Sequence, residues 1–338
     1  MNRRNLKSLT GFAMALFVAG CGGSGTVPQS LPQSLDPLVA QVRHSGSWML
    51  PEAKNENLFY ISDGGSNVYV FSYSLAQLVG KLTGFDDAGG LCSDHAGNVW
   101  IPDWAQGTIT EYAHGGSEPI STLYDPGVSP ADCSIDATTG NLAVVGFTNS
   151  LAIYTGAKGA PHTYKMGGLG TIDFLFCTYD GSGNLFVDGI RPGARPGHPY
   201  GRFGLSELPK GNTRVRRISL RNYFEPYGGW QLQWDGTYLA IAEGWNNLIP
   251  RFAIRGNVAH YVDTVKLDQM GYVGWFWIHG SKIIGVQIWG TEIQLYHYPA
   301  GGDPLKTLAN LPSFSGDWGD GSVTVSIAPH LTGITQIK

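Results

Sequence analysis

The sequence predicts an all-β chain built from a repeated four-stranded meander, and three observations carry that prediction. Turn formers are abundant, with 48 glycines and 19 prolines in 338 residues and only 14% charged side chains. The apolar runs are short, rich in β-branched and aromatic residues, and lack the three-and-four spacing of an amphipathic helix. The turns also recur at a fixed distance. Asn98, Asn141 and Asn184 stand 43 residues apart, each shortly after an aspartate (Asp94, Asp136, Asp180), and Asp235 and His279-Gly280 continue the series after an insertion. A period of roughly 40–45 residues with four strands per unit is the signature of β-propeller blades.

Residues 1–20 read as a targeting segment. Arg3, Arg4 and Lys7 precede an apolar run over 9–19 that is too short to span a bilayer comfortably. Val18-Ala19-Gly20-Cys21 resembles the bacterial lipobox. That resemblance implies lipidation of Cys21, an extracytoplasmic location and anchorage to the bacterial membrane, the outer one where there are two, since Gly22 is not aspartate. Residues 21–36 are Gly, Ser, Pro and Gln without an apolar period, hence a flexible tether. The propeller domain is expected over 37–338.

The strands are expected in units. The first comprises 58–63, 68–73 and 78–83, with its innermost strand missing or supplied by 47–50. The second runs through 90–93, 99–102, 108–112 and 120–124, and the third through 133–135, 142–145, 151–154 and 162–165. The fourth is 175–179, 185–188, 203–208 and 215–220, and the fifth is 231–234, 238–242, 249–254 and 260–266. The sixth is 275–278, 283–288, 293–298 and 305–308. One further strand, 322–328, most simply supplies the innermost strand of the first unit, closing a six-bladed ring and pairing an open edge. The rival count is seven blades, with 322–338 as three strands and 37–42 as the fourth.

An apolar strand, Asp, two or three residues, Gly-Asn and a second apolar strand (Asp94 to Val99, Asp180 to Leu185) is similar to the NHL-repeat class of six-bladed propellers. With the lipobox, the chain resembles bacterial lipoproteins that carry such propellers. The Asn-His-Leu triplet that names the class is absent from every unit. The resemblance implies a binding scaffold more than a chemistry. Propellers resembling gluconolactonases, organophosphatases or streptogramin lyases imply the other reading, a hydrolase or lyase at the channel mouth, dependent on a cation.

Four acids are candidates for that mouth: Asp63, Asp103, Asp188 and Glu243, at or beside strand ends facing one side of the disc. A hard cation such as Ca2+ wants several carboxylate oxygens converging, whereas an acid at a strand end more often holds its own turn. Cys92, Cys133 and Cys177 share the innermost-strand position of three successive units. Packing is the expectation for them, with one disulfide as the alternative. Arg191, Arg195 and Arg202 belong to an insertion in the fourth unit, 191–202, and suit an anionic polysaccharide or a protein partner. Trp275 and Trp277 alternate on one strand and point to inter-blade core. A net charge of −4 excludes nucleic acid as the expected partner. No nucleophile elbow, zinc-protease helix or phosphate loop occurs.

Overall fold

The computed structural model describes residues 46–125, 127–165, 173–191, 202–223, 230–287, 292–308 and 321–329. All belong to the compact unit His44–Lys338. The targeting segment with Cys21, the tether, Arg195 and most of the fourth-unit insertion lie outside the described residues.

The described chain is all β, apart from two short 3-10 turns at Pro51–Asn55 and Thr155–Ala157. The first meander contains β1 (Trp48–Met49), β2 (Leu58–Ser62), β3 (Asn67–Ser72) and β4 (Leu78–Thr83). The second contains β5 (Cys92–Ser93), β6 (Val99–Asp103), β7 (Thr108–Tyr112) and β8 (Pro119–Tyr124). The third contains β9 (Pro130–Ile135), β10 (Leu142–Gly146), β11 (Ser150–Tyr154) and β12 (His162–Lys165). Next come β13 (Asp173–Tyr179), β14 (Leu185–Arg191), β15 (Arg202–Leu208) and β16 (Arg216–Arg221). They are followed by β17 (Leu232–Trp234), β18 (Leu239–Ile241), β19 (Leu248–Arg255) and β20 (Val258–Lys266). Last are β21 (Val273–His279), β22 (Lys282–Gln287), β23 (Ile293–His297), β24 (Gly301–Leu308) and the C-terminal β25 (Ser322–Ser326).

Four sheets have the orders β1-β4-β3-β2-β25, β5 to β8, β9 to β12 and β21 to β24. The β13–β16 and β17–β20 meanders instead fuse into one eight-stranded sheet. β25 pairs with β2 from Leu58↔Ser326 to Ser62↔Ser322, so the C-terminal strand is innermost in the first sheet. The 47–50 segment goes to the opposite edge, where Trp48 faces Lys81 of β4. Residues 37–42 and 330–338, which a seven-blade count needs, lie outside the described residues. The arrangement is propeller-like.

The fusion was not legible as strands. β16 and β20 pair in parallel, Ser219 opposite Val258 and Arg221 opposite His260. An outermost strand leaves a row of backbone groups unpaired, and the long β20 reaches across to satisfy the edge of β16.

Strand interiors are buried on both faces, which is why they read as continuous apolar runs rather than alternating ones. In β2, Leu58 and Tyr60 pack with Leu91, Val99 and Ile101 of the second meander, while Phe59 and Ile61 pack with Trp275, Ile284 and Val323 on the other side. Trp275 is thus inter-sheet core, as its spacing predicts, and Trp277 packs against the same cluster. The repeated Asp-Asn pairs are turn clamps. Asp94 Oδ1 accepts the Asn98 N–H at 2.8 Å and its Oδ2 accepts the Asn98 amide at 3.1 Å; Asp180 and Asn184 repeat this at 2.8 and 2.7 Å.

Candidate functional site

The innermost strands line an axis, and each leaves one edge without a sheet partner. That edge is satisfied by side chains of the neighbouring innermost strand. Asp132 Oδ2 accepts Cys177 N–H at 2.9 Å and Ser134 Oγ accepts Tyr179 N–H at 3.1 Å. Gln231 and Gln233 do the same for Phe276 and Ile278, at 2.8 and 2.5 Å, Thr178 serves Trp234 at 3.3 Å, and Ser322 serves Leu91 at 3.1 Å. Both members of each paired link advance by two residues together, so the innermost strands run parallel.

Between β5 and β9 the link is covalent. Cys92 and Cys133 form a disulfide with Cα atoms 5.6 Å apart. This corrects the expectation that all three thiols merely pack. Innermost strands converge near the axis, close enough for the bridge, and Cys92 and Cys133 share one inter-sheet cluster, whereas Cys177 belongs to the next. Cys177 remains a buried free thiol. Burial, then the neighbouring Asp132 and Asp188 carboxyls, push its pKa well up, so it is protonated and unreactive.

These strands enclose an axial cavity of about 160 Å³ lined by Ser93, Asp132, Ser134, Cys177, Gln233 and Trp277, among others. Burial pushes the Asp132 carboxyl up to about 7 despite the N–H groups of Cys177 and Cys133. Asp188 is raised well above the carboxylate range by burial, with Asp132 adding to it. Its Oδ2 accepts Trp230 N–H at 3.0 Å, while its Oδ1 has no hydrogen-bond partner of good geometry among the described residues.

Because the innermost strands are parallel, the ends of all second strands and the starts of all innermost strands share one face. Asp63, Asp103 and Glu243 lie there, each engaged locally. Asp63 clamps Asn67 through its backbone and side-chain N–H groups at 3.0 and 2.6 Å. Asp103 accepts the N–H groups of Asp86, Asp87 and Gln106 at 2.8, 3.2 and 3.0 Å. Glu243 accepts from Tyr223 Oη and Asn246 Nδ2. Asp188 sits within β14. Among the described residues, no group of three or more His, Cys, Asp or Glu is arranged to hold a metal ion, so the four acids are not gathered into one cluster. At the insertion, Arg191 is buried and donates its Nε–H to Phe203 O at 2.7 Å, bracing the β14–β15 pair. Arg202 begins β15.

The late tryptophans, Trp230 and Trp245 among them, read from sequence as core rather than as a ring-binding mouth, and Trp104, Phe147 and Tyr272 are not singled out there. Trp104 (43% exposed) follows β6 and Phe147 (43%) follows β10; Trp245 (40%) lies between β18 and β19, and Tyr272 (42%) precedes β21. Each therefore sits on the Asp103 and Glu243 side. Trp104 meets Phe147 edge-on at 5.8 Å, and Trp230, Trp245 and Tyr272 form a ladder with T-shaped contacts at 6.1 and 6.0 Å. Gly244 makes the ladder possible: it has φ +71°, and a Cβ there would fall 1.9 Å from the Trp230 ring. Among the described residues, the other exposed large apolar side chains lie on outermost strands (Ile120, Tyr124, Tyr261, Val262, Leu305) or toward the opposite face (Leu50, Leu75). Tryptophan and phenylalanine directly after a second strand were the available signal.

No known family model matches the chain, and no curated protein matches it. Among solved structures it is similar to a chain in the crystal structure of a nidogen/laminin complex, with a TM-score of 0.60 and 12% identity. The match covers 80% of this chain and 99% of that one. At this identity the likeness concerns the fold alone.

Proposed function

We propose that the chain is a surface-tethered, extracytoplasmic β-propeller of six four-stranded blades, related to the NHL-repeat type, that acts as a binding scaffold for a protein partner. The observation that carries this reading is the gathering of Trp104, Phe147, Trp245 and Tyr272 on one face, away from the outermost strands. Exposed aromatic side chains of this kind are the usual anchors of protein interfaces. The structural neighbour, a chain from a nidogen/laminin complex, agrees with a scaffold. Six blades are supported by six innermost strands, β25 included, linked in order around the axis. The lipobox at Cys21 supports a lipid tether, and the reading requires no catalytic residue, Ca2+ or other cofactor.

The test is capture from envelope extract by the full chain. The variants Trp104→Ser with Phe147→Ser, and Trp245→Ser with Tyr272→Ser, should lose the partner, while Leu75→Ser and Ile120→Ser should retain it. Equal capture by all four would refute the face assignment. For the tether, Cys21→Ser should move the chain from the membrane fraction to the soluble one; retention in the membrane would count against lipidation.

A further inference from the structure

The chain is acidic overall, yet one sector of its rim is basic. The sequence from 137 to 165 contains no Asp or Glu. Across 202–223 the sole acid is Glu207, which is buried and bonded to Arg216 at 2.8 Å. Among the described residues of this sector Lys158, Lys165, Lys210, Arg214, Arg217 and Arg221 are exposed, and no carboxylate is. Flanking acids are occupied: Asp136 is buried by its own turn, where it accepts from Thr138 and Thr139, and Asp180 clamps Asn184. Two contacts hold the sector together. Tyr164 of β12 and Val215, just before β16, pack against one apolar cluster, and Lys210 Nζ donates to Thr138 Oγ1 at 2.8 Å. Lys158, in the turn before β12, thus stands on one bank of the seam between the two meanders. Lys210 and Arg214 in the turn before β16, with Arg217 and Arg221 on the Val215 side of that strand, stand on the other, whereas Lys165 alternates with Tyr164 and points away.

We infer that this seam binds a linear acidic polysaccharide, a glycan chain bearing carboxylates. The inference is independent of the proposed aromatic face. Arg217 and Arg221 lie on the same side of β16, four residues apart, which is roughly 13 Å along a strand. Such a spaced row suits repeated charges on an extended polymer rather than one phosphate. Beside the cations stand groups that fit a sugar ring: the exposed His162, set edge-on to Tyr164 at 4.7 Å, and the hydroxyl of Ser219, also exposed. A lipid headgroup layer would use the charges and leave these unused. Arginine forks bind carboxylates with two parallel hydrogen bonds. The insertion arginines were the sequence-based candidates for an anionic partner. Arg191 donates to Phe203 O, and Arg195 lies outside the described residues.

The experiment is binding of the full chain to immobilised polygalacturonate, with dextran, phosphatidylglycerol vesicles and a single-stranded DNA oligonucleotide as comparators. Polygalacturonate should bind with an affinity that falls as salt rises, and dextran should not bind. Arg217→Glu with Arg221→Glu should weaken binding by about tenfold or more. Lys158→Glu with His162→Ala, on the other bank, should weaken it too, and Lys54→Glu with Lys306→Glu, elsewhere on the surface, should leave it unchanged. All the substituted side chains are exposed, and an unchanged thermal melt checks that each variant folds. Absence of polygalacturonate binding, binding indifferent to both seam variants, or vesicles or DNA binding as tightly as the glycan would each overturn the inference.

Discussion

The two faces of the disc are built from the same turns and put to different uses. On the face that carries the turns between innermost and second strands, Asp94, Asp136, Asp180 and Asp235 each fold their side chains back onto the following backbone. On the other face, Asp63, Asp103 and Glu243 hold loops in the same manner, but those loops also push Trp104, Phe147, Trp245 and Tyr272 into solvent. Turn aspartates are thus structural on both sides, and the difference lies in what the loops present. The lesson is that a recurring acid marks the period, while an aromatic that breaks the turn pattern marks the surface for recognition.

The comparison can be broken most severely at Gly244. Gly244→Ala strains a positive φ and drives a Cβ into the Trp230 ring. It should lower stability by about 3 kcal/mol in denaturant unfolding and dismantle the aromatic ladder with it. Next comes Trp245→Ala with Tyr272→Ala, which should cost about 2 kcal/mol in partner affinity while leaving the melt nearly unchanged, because both rings are partly exposed. On the opposite face the signs reverse. Asp180→Ala removes three hydrogen bonds from one turn and should cost about 1–2 kcal/mol of stability with capture intact.

A further effect, read as a pH dependence, concerns the axis beneath both faces. The Asp132 pKa, about 7, lies above the carboxylate reference of 3.8, so the folded chain holds this proton more tightly than the unfolded chain does. The resulting stability is full below pH 3.8 and is lost as pH rises through about 7. Asp132→Asn should flatten the fall in melting temperature between about pH 4 and 7. A wild-type curve that rises over this range would contradict the assignment.

Much of the scaffold was legible because periodic turns repeat in sequence as they do in space. Asp94 and Asp180 with their asparagines announced the unit, and the isolated run at 322–328 announced an innermost strand for the first one. What stayed hidden depends on distances that no spacing encodes. Cys92 and Cys133 look like equivalent positions 41 residues apart, and only the convergence of strands at the axis makes them partners. The pairing of β16 with β20 likewise needs two rim edges to meet. The alternating polar residues Asp132/Ser134 and Gln231/Gln233 were visible, but their partners are backbone groups 45 residues away. Exposure of Trp104 and Trp245 could not be told from core, since tryptophans of both kinds occur in this chain.

Hydroxyl-radical footprinting of the chain, alone and in its captured complex, tests the central claim most directly. The account predicts protection of Trp104, Phe147, Trp245 and Tyr272 on complex formation, with Leu75 on the opposite face oxidised as before. Protection of Leu75 while those four aromatics stay reactive would contradict it.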